Sequence, residues 1–97
     1  MNNDKHILVL YIAGKTQKAE RAIENINQYC EDHLQDGYTL EVVDLKEHPE
    51  LASSEQIIAI PTLIRKLPAP IRILVGDLSD KEKVLVGLNI RPIEHKI

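Results

Sequence analysis

The chain has 97 residues, with 12 basic and 15 acidic side chains and a net charge of −3 at neutral pH. This length suits one domain over residues 1–97, and the acidic balance argues against binding to nucleic acid or to a membrane surface. The chain has no Phe or Trp, so Ile, Leu and Val must build its core. Asp4 and Lys5 precede an apolar run that is too short for a signal peptide or a membrane span. We therefore expect a cytoplasmic domain.

The first half of the chain predicts a strand, a helix and a second strand. Residues 6–14, HILVLYIAG, form an apolar, β-branched run typical of a strand covered on both faces. Thr16 can cap a helix, in which apolar residues recur every three or four positions for about eighteen residues. Asp36 and Gly37 predict its end, and residues 39–45 predict the second strand. Such a unit has parallel strands and needs further helix on its other face.

The second half predicts four further elements, which are a helix over residues 49–58, strands over residues 62–67 and 71–78, and a helix over residues 80–88. Pro68 and Pro70 mark a tight antiparallel connection between the two strands. Ser79 with Glu82 three residues later forms a capping box for the last helix. The residues after Asn89 read as a short polar tail.

The predicted order β-α-β-α-β-β-α is that of a thioredoxin-like α/β fold, with one mixed sheet and helices on both faces. Two segments of the second half have mixed character. Residues 56–64, QIIAIPTLI, combine helical and extended patterns, and residues 84–90, VLVGLNI, suit a strand as well as a helix. The C-terminal half therefore has two interpretations.

Thioredoxin-like enzymes carry a reactive cysteine between the first strand and the first helix, where the helix N-terminus lowers the thiol pKa. This chain has GKTQKA at that place, and its single cysteine, Cys30, lies on the apolar face of the helix. We expect Cys30 to be a small buried hydrophobe, and we expect no catalytic residue and no cofactor. The four histidines have no metal-ligand spacing, so we predict no metal site. Asp44, Asp77 and Asp80 are expected to be surface charges or caps.

Two features of the second half suggest a binding surface. A proline before the third strand, Pro61, is predicted to follow a cis peptide bond that shapes the groove beside the first helix. Arg65, Lys66 and Arg72 cluster around the predicted hairpin, which would bring Arg65 and Arg72 together. This cluster is either a solvated face or a docking patch for an acidic partner.

Three blocks carry a resemblance to a known family: ILVLYIAGKT, the PTL…LP-x-P segment and GDLSDKEKVLVGL. With their spacing, they resemble the KaiB family from about Lys5 to Asn89. The resemblance implies a non-enzymatic adaptor that binds a KaiC-type ATPase and modulates circadian-like or stress-response signalling. It also implies a KaiA-like protein or a sensor histidine kinase as further partners. The alternative is a thioredoxin-like redox or peroxide-handling protein that lacks the CxxC pair.

The resemblance further implies two folds for one sequence. One is a thioredoxin-like monomer that binds partners, and the other is a resting oligomer whose C-terminal half is rearranged. Residues matching family positions in that half are Pro61, Pro68, Pro70, Gly87 and Asn89. Since a small core also gains from burying surface between subunits, we expect a homodimer or homotetramer.

The candidate partner-binding residues are Arg21, Glu41, Arg65 and Arg72. The three arginines match basic positions of the family. Glu41 departs from it, because clock members tend to carry Lys on the second strand at this position. A reversed charge at an interface can cost several kcal/mol. The chain is thus expected to be a divergent member that acts outside the core oscillator.

Overall fold

A computed structural model describes residues 6–35 and 37–90. Its elements are β1 (His6–Ile12), α1 (Gln17–His33), β2 (Tyr38–Asp44), α2 (Glu50–Ser54), β3 (Thr62–Leu67), β4 (Arg72–Val75) and α3 (Lys81–Gly87). Their order is the one predicted from the sequence. Asp36, within the predicted turn, and residues 91–97 of the predicted polar tail lie outside the described residues.

The four strands form one mixed sheet in the order β2-β1-β3-β4. β1 runs parallel to β2, as the βαβ pattern predicts, and β3 runs antiparallel to both β1 and β4. β2 and β4 are therefore the two edge strands of this sheet. α1 joins the parallel strands β1 and β2, and the proline-rich hairpin joins the antiparallel strands β3 and β4.

Side chains alternate between the two faces of the sheet, and each face has its own core. Leu8, Leu10 and Leu63 pack beneath α1 and α3, on what we call the α1/α3 face. Val9 and Ile64 point the other way, and the hydrophobic side chains packed there include those of α2. This second surface is the α2 face. Helices thus cover both faces, which confirms the predicted architecture.

The first helix begins where the sequence predicts. The Thr16 hydroxyl accepts a hydrogen bond from the backbone N–H of Ala19 at 3.0 Å, which satisfies one of the free donors of the first turn. The predicted apolar stripe faces the sheet, and its members Ala22, Ile26 and Cys30 are buried.

The second helix is half as long as predicted. Instead of residues 49–58 it spans Glu50–Ser54, because Gln56 adopts a left-handed conformation with φ of 56°. The Ile57 N–H then bonds to the Ala52 carbonyl, and the Gln56 N–H bonds to the Ser53 carbonyl. This pair of bonds is a Schellman motif, which ends a helix.

The segment from β4 to α3 also departs from the prediction. β4 ends at Val75, not at residue 78, since Gly76 has φ of 115° and Leu78 has φ of 62°. The cap of α3 is Asp80, whose carboxylate accepts from the Lys83 N–H at 3.1 Å. Ser79 does not form the predicted capping box, because it lies one residue before the N-cap, where its N–H donates to the Asp77 carboxylate at 3.0 Å in a turn.

Three prolines flank β3, Pro61 before its first residue and Pro68 and Pro70 after its last. The Ile60–Pro61 peptide bond is cis, as predicted, and the bonds before Pro68 and Pro70 are also cis. Pro61 is buried, and its carbonyl accepts from the Gly76 N–H at 2.9 Å.

Candidate partner-binding surface

The thiol lies in the core. Cys30 is only 1% exposed, and burial, with a smaller contribution from Glu31, raises its pKa to about 12. A thiol in this state is not a nucleophile at neutral pH. The prediction that Cys30 acts as a buried hydrophobe is therefore confirmed.

The aspartates singled out in the sequence organise turns. Asp44 accepts from the backbone N–H groups of Gly14 and Lys46, each at 2.9 Å, and these bonds lower its pKa. Asp77 and Asp80 hold the turn before α3 and cap that helix. Within residues 6–35 and 37–90 no group of His, Cys, Asp or Glu side chains is placed to hold a metal ion. In the same ranges no helix has the length and apolar character of a membrane span.

The position of Arg65 shows that the predicted basic patch was wrong in part. Its side chain is only 1% exposed and lies on the α1/α3 face. One guanidinium nitrogen donates to the Leu88 carbonyl and another to the Pro70 carbonyl at 2.9 Å. Burial, reinforced by the charge of Arg72, lowers the pKa of Arg65. In this fold Arg65 is inaccessible to a partner, because strand alternation turns its side chain under α3.

The two other basic residues of the hairpin point in different directions. Arg72 pairs with Arg65 across β3 and β4, as the hairpin predicts, but its side chain is exposed. Lys66 has the opposite orientation on β3, and it makes an ion pair with Glu55 just after α2. The three cations therefore do not form one patch.

A polar network at the α2 face was missed by the sequence reasoning. Glu55 accepts hydrogen bonds from Lys66 and from the Tyr11 hydroxyl, the latter at 3.2 Å. These bonds lower the pKa of Glu55, and burial together with Glu55 raises the pKa of Tyr11 to about 12. The network joins the end of α2 to β1 and β3. A sequence signal was absent, since the three residues are far apart in the chain.

Glu41 lies where the sequence placed it, exposed on the edge strand β2. It lines a groove of about 270 Å³ whose other charged or titratable residues are Asp44, Glu47 and His48. The outer edge of the sheet at β2 is therefore predominantly acidic.

Arg21 and Arg72 lie apart from this acidic groove. Arg21 is exposed on α1, and its charge, with that of Lys18, adds to the Ser79 hydrogen bonds in lowering the pKa of Asp77. Arg72 is on β4, three strand spacings or about 14 Å across the sheet from β2. The acidic residues thus lie at the β2 edge, and the exposed arginines lie on α1 and β4.

An exposed apolar region beside β4 was also missed. Ile73 and Val75 alternate onto the α2 face, and Ile58 is 97% exposed. With Ile57 and Ile64 they line a shallow groove of about 140 Å³. The α2 side chains Leu51 and Ala52 pack in the cluster of Val9 and Tyr11 on β1, while Ile73 and Val75 on β4 stay exposed. No local pattern in the sequence indicates that these residues of β4 stay exposed.

The KaiB domain family matches residues 9–90 of the chain. A Synechocystis protein described as circadian clock protein KaiB3 is 42% identical over 92 residues, covering 95% of this chain and 90% of its own. A Cyanothece circadian clock oscillator protein KaiB is 45% identical over 85 residues, covering 88% of this chain and 81% of its own.

This chain belongs to the KaiB family.

Solved structures confirm the fold of this KaiB-family chain. The N-terminal domain of Synechococcus elongatus SasA superposes with a TM-score of 0.72 at 17% identity, covering 89% of this chain and 85% of that domain. Chloroplastic thioredoxin z gives 0.71 at 17% identity, covering 89% and 78%. The thioredoxin-like likeness concerns the fold alone, and it lends no support to the alternative of a redox or peroxide-handling protein.

The family positions of the C-terminal half have distinct environments in this thioredoxin-like arrangement. Gly87 ends α3, and a Cβ atom built there would lie 2.5 Å from a Leu74 methyl group. Asn89 follows the helix with φ of 56°, a conformation that Asn tolerates well. The Asn89 N–H bonds to Val86 and the Ile90 N–H bonds to Leu85, which forms a second Schellman motif.

Proposed function

We propose that this protein is a non-enzymatic KaiB-type adaptor that binds a KaiC-type ATPase and modulates signalling of a circadian-like or stress-response kind. The observation that carries the proposal is family membership. The chain matches relatives described as clock proteins, and the matches cover most of the length of those relatives. The buried thiol with its raised pKa supports an adaptor over a thiol enzyme.

The acidic β2 edge is the surface that we propose for this contact. Edge strands offer unpaired backbone groups to a partner, and Glu41 lies exposed in the groove beside this edge. We expect the ATPase to present basic side chains there, because opposite charges steer association and like charges oppose it. Arg21 and Arg72 are proposed as secondary contacts with acidic residues of the partner, whereas Arg65 is excluded from this role by its burial.

A sensor-kinase domain is the competitor that we expect on the same ATPase. The KaiB-family resemblance implies a sensor histidine kinase, and the chain has the same fold as the SasA N-terminal domain. Two proteins of one shape can compete for one docking site, so the adaptor would displace such a domain. A KaiA-like protein remains a further proposed partner.

The test is co-elution with the KaiC-type ATPase encoded in the same genome. The purified chain is mixed with the ATPase in ATP and separately in ADP, and complexes are resolved by size-exclusion chromatography. We expect a complex that contains both proteins in at least one nucleotide state. Two separate peaks in both nucleotides, at concentrations where the ATPase is assembled, would contradict the proposal.

A further inference from the structure

The connector between β4 and α3, residues 76–80, is held by two side chains of α1. The Asn25 amide donates to the Asp77 carbonyl at 2.9 Å, and the Tyr29 hydroxyl donates to the Leu78 carbonyl at 2.7 Å. Asn25 and Tyr29 are four residues apart, so they project from the same face of α1 on successive turns. They grip two consecutive carbonyls of a segment about fifty positions away in the chain.

The gripped segment is under local strain. Leu78 has φ of 62°, a left-handed conformation that a branched apolar residue rarely adopts, and its side chain is 5% exposed. Such a conformation persists only where the surroundings hold it. The Tyr29 bond ends on the carbonyl of this residue, and the Asn25 bond ends on the preceding one.

The opposite end of α3 is held from the sheet. Leu88 is the C-cap of the helix, and its carbonyl accepts from the buried guanidinium of Arg65. A helix C-terminus carries partial negative charge, so a cation there is stabilising. No carboxylate of the described residues pairs with Arg65, whose other bond goes to the Pro70 carbonyl. The guanidinium is thus directed to backbone carbonyls at the end of α3 and in the hairpin.

The helix between these two points depends on being docked. α3 has seven residues, well below the length at which an isolated helix is stable in water. Val84, Leu85 and Leu88 are buried against the α1/α3 face. If the bonds from α1 to the connector break, relief of the strain at Leu78 favours movement of the connector away from α1. α3 then no longer packs on the sheet.

We propose that Asn25, Tyr29 and Arg65 form a two-ended clasp that determines how often residues 77–90 leave the sheet as a unit. Release of either end opens the segment locally while α2 and its contacts remain folded. The inference goes beyond the proposed function and does not depend on it, because the clasp lies within the chain and needs no partner.

The test is native-state amide hydrogen exchange, followed by NMR on the full chain without a partner. Tyr29→Phe removes only the hydroxyl that reaches Leu78. The reporters of α3 are the amides of Leu88 and Ile90, which bond within the helix and its cap. The amides of Leu10 and Leu63 in the central strands report global unfolding, and those of Glu55 and Ile57 report opening near α2.

We expect the α3 amides of the wild type to exchange faster than those of the central strands. Tyr29→Phe should raise the α3 rates about three- to tenfold, and the rates near α2 should not change. Asn25→Ala should act in the same direction although Ala favours helix, so weakening of α1 would not be the cause. Gln28→Ala is the matched control, since that amide bonds to Asp32 within α1 and not to the connector as the structure describes it.

Three outcomes would overturn the inference. The first is that α3 exchanges no faster than the central strands in the wild type, because the segment then has no opening of its own. The second is that Tyr29→Phe raises only the central-strand rates, which means that α3 opens with its connector still held. The third is that neither set of rates changes. Arg65→Met tests the other end of the clasp, and the Tyr29 and Asn25 variants remain decisive should it not fold.

Discussion

At the scale of single residues, burial determines what each reactive group can do. Cys30 and Arg65 are both almost fully buried, but their surroundings differ. The thiol lies among apolar side chains, and its neutral form needs no partner. The guanidinium has two carbonyl acceptors at the end of α3 and in the hairpin. Cys30 therefore only fills space in the core, whereas Arg65 is a buried cation that stabilises the fold.

The first prediction concerns Cys30. Because burial raises its pKa to about 12, the native protein should resist a thiol reagent at pH 8. Labelling should become rapid only when denaturant unfolds the chain, and its rate in water should follow the unfolding equilibrium. The measurement is the time course of reaction with a chromogenic disulfide. Rapid labelling of the folded protein, or a disulfide reductase activity lost in Cys30→Ala, would contradict the inert role.

The second prediction concerns acid stability through Glu55. Its folded pKa lies below the ordinary value of 4.5, so its interactions with Lys66 and Tyr11 stabilise the protein above that pH. This contribution is lost as pH falls below about 4.5 and through the folded pKa. Glu55→Gln should therefore lower the free energy of unfolding at pH 7 and flatten its fall on acidification.

Urea unfolding from pH 7 to pH 3 measures this effect. Glu24→Gln is the control, since Glu24 is exposed on α1 and has no part in the network. The idea fails if Glu55→Gln and Glu24→Gln show the same dependence of stability on pH.

At the scale of elements, the contact between α3 and β4 decides what a substitution at Gly87 does. From the sequence alone, Ala at this position should favour the helix by about 0.5–1 kcal/mol. In the structure its Cβ would lie 2.5 Å from one Leu74 methyl group and 3.3 Å from two further atoms of that side chain. The whole Leu74 side chain would have to move. Overpacking of this kind costs about 1–3 kcal/mol, which exceeds the helical gain.

The third prediction follows from that comparison. Gly87→Ala should lower the midpoint of urea unfolding, and it should do so much less when Leu74 is already Ala. A double-mutant cycle measures the coupling between the two positions. Equal effects of Gly87→Ala in both backgrounds would show that Leu74 is not the obstacle.

The sequence predicted the elements whose signals are local. Thr16 and the apolar stripe of α1 predicted the start and the buried face of that helix, and the strand-helix-strand order predicted the parallel pairing of β1 and β2. The lengths of α2 and β4 were wrong. They end where Gln56 and Gly76 take positive φ, and no local pattern identifies Gln56 as such a residue.

The candidate site was predictable only in part. Glu41 is exposed on its edge strand, as expected for a partner contact. Arg65 was misplaced, because its burial depends on α3 returning to cover β3, a contact between distant parts of the chain. The Tyr11–Glu55–Lys66 network and the α1 grip on residues 77 and 78 have the same long-range origin.

At the scale of the whole molecule, the expected assembly stays a prediction. The core has no Phe or Trp, and Ile58, Ile73 and Val75 are largely exposed on the chain alone. We expect a homodimer or homotetramer at micromolar concentration, because association would bury additional surface. Sedimentation equilibrium gives the mass directly. A single species of 11.0 kDa at all concentrations up to about 100 μM would contradict this expectation.

The acidic β2 edge sets the partner preference that we expect for the whole molecule. Glu41→Lys reverses a charge at the exposed edge without touching the core. Because like charges at an interface oppose binding, this variant should bind the chain's own KaiC-type ATPase at least tenfold more weakly. It should bind the ATPase of a core clock more tightly, since clock relatives are expected to carry Lys at this position. Glu82→Lys is the matched charge control, since Glu82 is exposed in the first turn of α3, which packs beside β4 at the opposite edge of the sheet.

The most direct measurement is the dissociation constant for the KaiC-type ATPase of the same genome, titrated in ATP and separately in ADP with the wild type, Glu41→Lys and Glu82→Lys. If the protein is the proposed adaptor, the wild type binds saturably in at least one nucleotide, Glu41→Lys loses about tenfold or more in affinity, and Glu82→Lys changes it little. Absence of saturable binding by the wild type in both nucleotides, up to about 100 μM, would contradict the adaptor role itself. Equal affinities of all three proteins would contradict the placement of the contact at the β2 edge.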